Sequence, residues 1–288
     1  MKRGFLILLV ISAFVLIAFQ FKPVKTVAHT VQGLIETPSL INRDSLTVKT
    51  RVMVPEGYQR VSYPKGSFED YLRNYKLKPF GSKIINYDAS EYFWQRGHIG
   101  ILEVPVPDNG LQQCADALIR IRSEYLWEKN RKDDIGFNFT SGHYCSWIKY
   151  AQGYRPKING NKVTFHKTAS KDYSKTNFYK FLNLIFTYSG TLSLDYELKS
   201  IQAKDLKIGD MLIKGGSPGH IVMLCDEVIN NQGEKLFLIF QGNTPAQSVH
   251  LVKNLTDNSI SPWYKLEDNA EVSVSNYTFS SAKFVRFK

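Results

Sequence analysis

The sequence predicts an α+β fold, an antiparallel sheet with helices packed against it. Two observations carry that expectation. Between Lys207 and Gln247, three apolar and partly β-branched runs follow one another: Met211–Ile213, Ile221–Leu224 and Leu236–Phe240. Gly215-Gly216-Ser217-Pro218-Gly219 separates the first two, and Asn230-Asn231-Gln232-Gly233 separates the last two. The stretch therefore reads as a three-stranded meander with tight connections. Elsewhere, apolar residues recur at three- and four-residue steps, the period of a helix with one buried face. They do so at Leu111, Cys114, Ala115, Leu118, Ile121, Tyr125 and Leu126, and again at Phe178, Phe181, Leu182, Leu184, Ile185 and Tyr188.

In chain order, Lys2 and Arg3 precede an apolar run from Phe5 to Phe19 that only Ser12 interrupts. This reads as a signal peptide or N-terminal membrane anchor over residues 1–22, and so as an exported protein of the periplasm or cell envelope. Ala18 is followed by Phe19, Gln20, Phe21 and Lys22, which is no clean small-residue cleavage site, so an uncleaved anchor stays open. Residues 23–50 read as a linker. Residues 51–288 read as one globular domain with room for its own core.

Leu46–Val54 and Tyr58–Val61 read as strands about the turn Pro55-Glu56-Gly57. Ser67 has Asp70 three residues on, a capping-box-like spacing that opens a helix. Phe93–Val106 reads as extended. Asp108-Asn109-Gly110 turns into a helix over Leu111–Lys129, and His143–Gln152 reads as a second, short helix stopped by Gly153. A strand is expected over Asn161–His166 and a core helix over Phe178–Tyr188. Val249–Val252 is apolar again, and the segment Tyr277–Phe287 supplies a final strand or two. Trp263 and Tyr264 serve either as an exposed stacking surface or as core.

The net charge is +11, from 37 Lys and Arg against 26 Asp and Glu. These basic residues are scattered and no nucleic-acid-binding motif appears, so nucleic acid is not the expected partner. An exported basic protein suits anionic envelope polymers or lipid surfaces instead. The chain has three cysteines, Cys114, Cys145 and Cys225, which leaves one unpaired in any intramolecular scheme. With no CxxC, HxxxH or HExxH pattern, neither a metal nor another cofactor is expected.

His220 follows Gly219 at the entry to the middle strand of the meander, where a ring can be held by the sheet and still face a cleft. Gln241 and Asn243 close the next strand. An amide there could bond one ring nitrogen and fix the tautomer of the other. Gln247 and His250 could line the same cleft as binding residues. Gly209-Asp210, an apolar strand, Gly219-His220 and a polar residue on the strand after resemble the C-terminal half of the papain-like NlpC/P60 and CHAP cysteine hydrolases. The resemblance implies a papain-like fold with His220 as general base and Gln241 or Asn243 as its orienter. Tyr144-Cys145-Ser146-Trp147, ahead of an amphipathic run, resembles the nucleophile helix of papain-like amidases, which implies Cys145 as nucleophile in a first helical turn. The alternative nucleophile is Cys114, because a Gln-Cys pair near a helix start resembles that of CHAP enzymes. Its place on the apolar stripe also suits packing.

A longer likeness lies in LQQCADALIRIRSEYLW, FTYSGTLSL, GGSPGHIVMLCD and QGNTPAQSVHLVKN. These segments resemble an uncharacterised family of exported bacterial proteins, the domain of unknown function numbered 4846. The functional expectation is a cysteine amidase or peptidase acting on cell-wall peptide or another envelope polymer. The alternative is a non-catalytic envelope binding protein on the same scaffold.

Overall fold

The computed structural model describes residues 38–288 together with Val27, Val31 and Gly33. The apolar run Phe5–Phe19 lies outside the described residues, as does all of the segment 1–22. The elements begin with α1 (Val48–Arg51), β1 (Tyr58–Arg60), α2 (Phe68–Arg73), β2 (His98–Ile101) and α3 (Cys114–Glu128). They continue with β3 (Gly136–Asn138), β4 (Tyr144–Ser146), α4 (Trp147–Ala151), β5 (Tyr154–Asn159), β6 (Lys162–Lys167), α5 (Lys175–Tyr188) and α6 (Thr191–Glu197). The C-terminal part is β7 (Lys199–Ile201), β8 (Met211–Lys214), β9 (His220–Asn230), β10 (Lys235–Gln241), β11 (His250–Val252), β12 (Val272–Val274), β13 (Tyr277–Phe279) and β14 (Phe284–Arg286).

The fold is α+β. Its main sheet has eight strands in the order β2-β11-β10-β9-β8-β14-β7, with β1 also paired to β9, and every pairing is antiparallel. The expected meander forms its centre. β9 is long because two strands share one of its edges: β8 takes His220–Met223 and β1 takes Val228–Asn230.

Both faces of this sheet are covered, which is why its strands read as near-continuous apolar runs rather than an alternation. Ile221, Met223 and Cys225 of β9, with Leu236, Leu238 and Phe240 of β10, pack in one cluster with Leu118 and Ile121 of α3 and Phe178 and Phe181 of α5. Val222, Leu224, Phe237 and Ile239 belong to a second cluster with Tyr264, Leu266, Val274, Phe279 and Phe284. Trp263 and Tyr264 are both buried, so they are core and not an exposed stacking surface. Asp226 is buried in β9, where it accepts from Arg73 Nε at 2.6 Å and from Arg60 Nε at 2.8 Å. Among the described residues no helix is long and apolar enough to cross a membrane.

Two local expectations are corrected and two are sharpened. The strand expected over Leu46–Val54 contains α1 instead: the Thr47 hydroxyl accepts from Thr50 N and closes a helical turn. Within the stretch read as a linker, 23–50, Val48 is fully buried in the core. The extended segment Phe93–Val106 forms a ladder only over His98–Ile101. The helix expected over His143–Gln152 begins only at Trp147. Upstream of it Gly142, at φ +82°, turns the chain so that Phe139 N donates to His143 O at 2.9 Å, and β3 pairs with β4. Cys145 therefore sits in a strand and not in a first helical turn.

Candidate active site

The site forms where the N-terminus of α3 meets the start of β9 and the end of β10. Cys114 is the first residue of α3. The chain before it is held rigidly: the buried Gln112 donates from Nε2 to Pro105 O at 3.0 Å and accepts from Arg120 Nη1 at 2.6 Å. Gln113 N donates to Asp116 Oδ2 at 3.0 Å, and the Gln113 side chain accepts from the Thr244 hydroxyl at 2.9 Å. Gly242, just beyond β10, lets α3 press onto the sheet here. A Cβ at Gly242 would lie 2.8 Å from Ala117 Cβ, 2.9 Å from Gln113 O and 3.4 Å from Cys114 Cα. On the other side, the backbone N–H of Ile221, the residue after His220, favours the Cys114 thiolate.

His220 is held from three directions. Gly219 fits where a Cβ would collide with the Thr191 hydroxyl and the Gly216 carbonyl. The rings of Tyr277 and Phe279 lie 4.6 and 5.9 Å from the imidazole, centroid to centroid. The His220 Nε2–H donates to Gln241 Oε1 at 2.8 Å.

The roles in that bond follow from a chain of partners. Ser248 O, a carbonyl, can only accept, so His250 Nδ1, 2.9 Å away, carries the proton. His250 Nε2 is then an acceptor and takes the hydrogen bond of Gln241 Nε2 at 3.1 Å. That orients the Gln241 amide with its oxygen toward His220. His220 must donate from Nε2, which leaves Nδ1 as the acceptor. Burial keeps both rings neutral: the His250 pKa is pulled down to about 4, and His220 is also lowered, against a smaller upward pull from Gln241.

Cys114, Asp116, His220, Asn243 and Tyr277 line one cleft of about 710 Å³. Burial pushes the Cys114 thiol up to about 11, with Asp116 adding to the rise and the N–H groups of Ala115, Ile221 and Cys114 itself opposing it. No hydrogen bond joins the thiol to the His220 ring among the described residues.

Of the residues expected at the site, His220, Gln241 and Cys114 are brought together. Cys145 is not: it pairs with Phe137 across β3–β4 and borders a separate recess with Tyr150, Tyr154 and Phe165, and burial raises its thiol to about 12. Asn243 lines the cleft but does not orient the imidazole. β10 ends at Gln241, and the Asn243 amide turns away to donate to Asn276 Oδ1 at 3.3 Å. Gln247 is fully buried beside the Tyr92 hydroxyl, off the cleft wall. His250 lies behind Gln241, so it supports the site from inside and does not line it. Sequence reasoning missed Asp116, Gly242 and Tyr277. Asp116 had a signal, since it stands three residues after Gln113 at a helix start.

Fold and site together define an α+β protein with a cysteine at a helix start and a histidine–glutamine pair on the sheet beside it. A family model described as a domain of unknown function (4846) matches residues 48–286, and the chain belongs to that family. No curated protein and no solved structure matches the chain.

Proposed function

We propose that this protein is a papain-like cysteine hydrolase of amide bonds, with Cys114 as nucleophile, His220 as general base and Gln241 as the group that orients it. One observation carries the reading: the hydrogen-bond chain from Ser248 O through His250 and Gln241 fixes His220 with Nδ1 as acceptor, in the cleft that Cys114 lines. In the reaction, His220 Nδ1 takes the thiol proton as the sulfur attacks the amide carbon. The tetrahedral oxyanion is received by the Cys114 backbone N–H, which at the first helical position has no intrahelical partner. Collapse breaks the C–N bond, the amine leaves with the proton from His220, and water activated by the same ring hydrolyses the thioester. Tyr277 and Phe279 keep bulk water from the His220–Gln241 bond.

The basic start and the apolar run Phe5–Phe19 support export, so the substrate class we propose is cell-wall peptide or another amide-containing envelope polymer. The test is release of new amino groups from cell-wall peptide. Cys114→Ala and His220→Ala are expected to remove turnover to the same extent, because the pair acts as a unit, and Cys145→Ala to retain it. Turnover that survives Cys114→Ala would overturn the reading. A second reading, a binding protein on this scaffold, is favoured by the raised pKa of the resting Cys114 thiol. It predicts ligand retention in Cys114→Ala with no bond cleavage in the wild type.

A further inference from the structure

Asp116 is a carboxyl that the proposed reaction does not use. It is the third residue of α3, within the turn that Cys114 opens, and only 5% exposed. One oxygen, Oδ2, accepts from Gln113 N; the other, Oδ1, is buried and has no hydrogen-bond partner among the described residues. A capping box accounts for Oδ2 but not for Oδ1. An unpaired buried carboxylate oxygen is costly, and this one also opposes the neighbouring thiolate. Burial accordingly pushes its pKa up to about 7. The rest of the cleft supplies no counter-charge: neither Lys nor Arg lines it, and Asp116 is its sole carboxylate among the described residues.

We propose that Asp116 receives a cationic amino group of the substrate close to the scissile carbonyl, so that the enzyme acts on peptides with a free ammonium at that place. The proposal rests on Cys114 being the nucleophile. With a small rotation of the Asp116 side chain that exposes Oδ1 to the cleft, a bound ammonium would donate to it, neutralise the carboxylate, and remove its opposition to the thiolate when substrate is present. Asp116 is then a specificity residue that also couples occupancy of the cleft to activation of the thiol.

The test uses the reactivity of Cys114 and needs no identified substrate. Full-length protein is treated with aminoethyl methanethiosulfonate, which is cationic, and with uncharged ethyl methanethiosulfonate. Labelling at Cys114 is followed by peptide mass spectrometry, and each rate is divided by the rate on a small free thiol. In the wild type the cationic reagent is expected to be favoured roughly tenfold. Asp116→Asn, checked for folding by circular dichroism, should bring the ratio close to one. If that variant does not fold, the wild-type ratio decides alone. Equal normalised rates in the wild type, or a preference that persists in folded Asp116→Asn, overturn the ammonium site while Cys114 remains a reactive thiol. A Cys114 that takes neither reagent overturns both this proposal and the nucleophile on which it rests.

Discussion

His220 shows how much of this site depends on residues that do not line its cleft. Its usable nitrogen is decided by Gln241, and the direction of that amide is decided by His250 and the Ser248 carbonyl. His250→Ala should leave Gln241 free to rotate and reverse, so alkylation of Cys114 should slow severalfold while Cys114 itself is unchanged. Gln should restore part of the rate if its carbonyl oxygen can meet the Gln241 amide. The same ring contributes to stability. In the fold it is neutral with a pKa pulled down to about 4, whereas in the unfolded chain it protonates below about 6.5. Its contribution is therefore present above about pH 6.5 and lost as pH falls toward 4. Denaturation at about pH 7 and about pH 5 should show the wild type losing more stability than folded His250→Gln between the two. Equal losses would mean the ring is not held neutral. In the sequence, His220 and Gln241 could be read because a Gly-His strand entry and a polar strand end are local signals. His250 could only be read as a neighbour of the cleft, because its bond to Gln241 depends on the register of β10 with β11.

Among the elements, α3 sets the geometry. Its apolar stripe was legible from Leu111 to Leu126, and the helix occupies Cys114–Glu128. Leu118→Ala, at a fully buried position against the sheet, should cost about 2–5 kcal/mol in chemical denaturation. Gly242→Ala should cost about 1–3 kcal/mol by overpacking, because its new methyl meets Ala117 and the Gln113 carbonyl. It should also displace Cys114 from β9 and slow thiol labelling; a variant with wild-type stability and labelling would remove this contact from the account. The misreading at β4 has a clear cause. Apolar residues from Tyr144 to Tyr150 fit a helical period, but the turn at Gly142 commits the first three to a strand before α4 can start. That difference moves Cys145 from a helix start, where a thiolate is favoured, to a hairpin under aromatic rings, where it is not. Cys114 gained the position that the sequence pattern had suggested for Cys145. What had counted against it, an apolar stripe, is what seats it against the sheet.

At the scale of the whole molecule, the sheet brings together parts far apart in sequence: β2, β11, β10, β9 and β8 are adjacent although β2 precedes the others by more than a hundred residues. The meander was legible because its strands are consecutive. The flanking order was not, since long-range pairing leaves no local pattern. Asp226 illustrates the same limit: it lies in an apolar strand, and its partners Arg60 and Arg73 come from β1 and α2. Asp226→Ala leaves Arg73 buried without its carboxylate and should cost about 3–5 kcal/mol, read as a lower denaturation midpoint. The central claim is that folding makes Cys114, and not Cys145 or Cys225, the base-assisted thiol. Competitive alkylation of all three cysteines by iodoacetamide, native against denatured and across pH, tests it most directly. The denatured chain is expected to label all three comparably, the native chain to label Cys114 fastest, and His220→Ala to slow Cys114 roughly tenfold or more near neutral pH without affecting the other two. Faster native labelling of Cys145, or a Cys114 rate indifferent to His220→Ala, would contradict it.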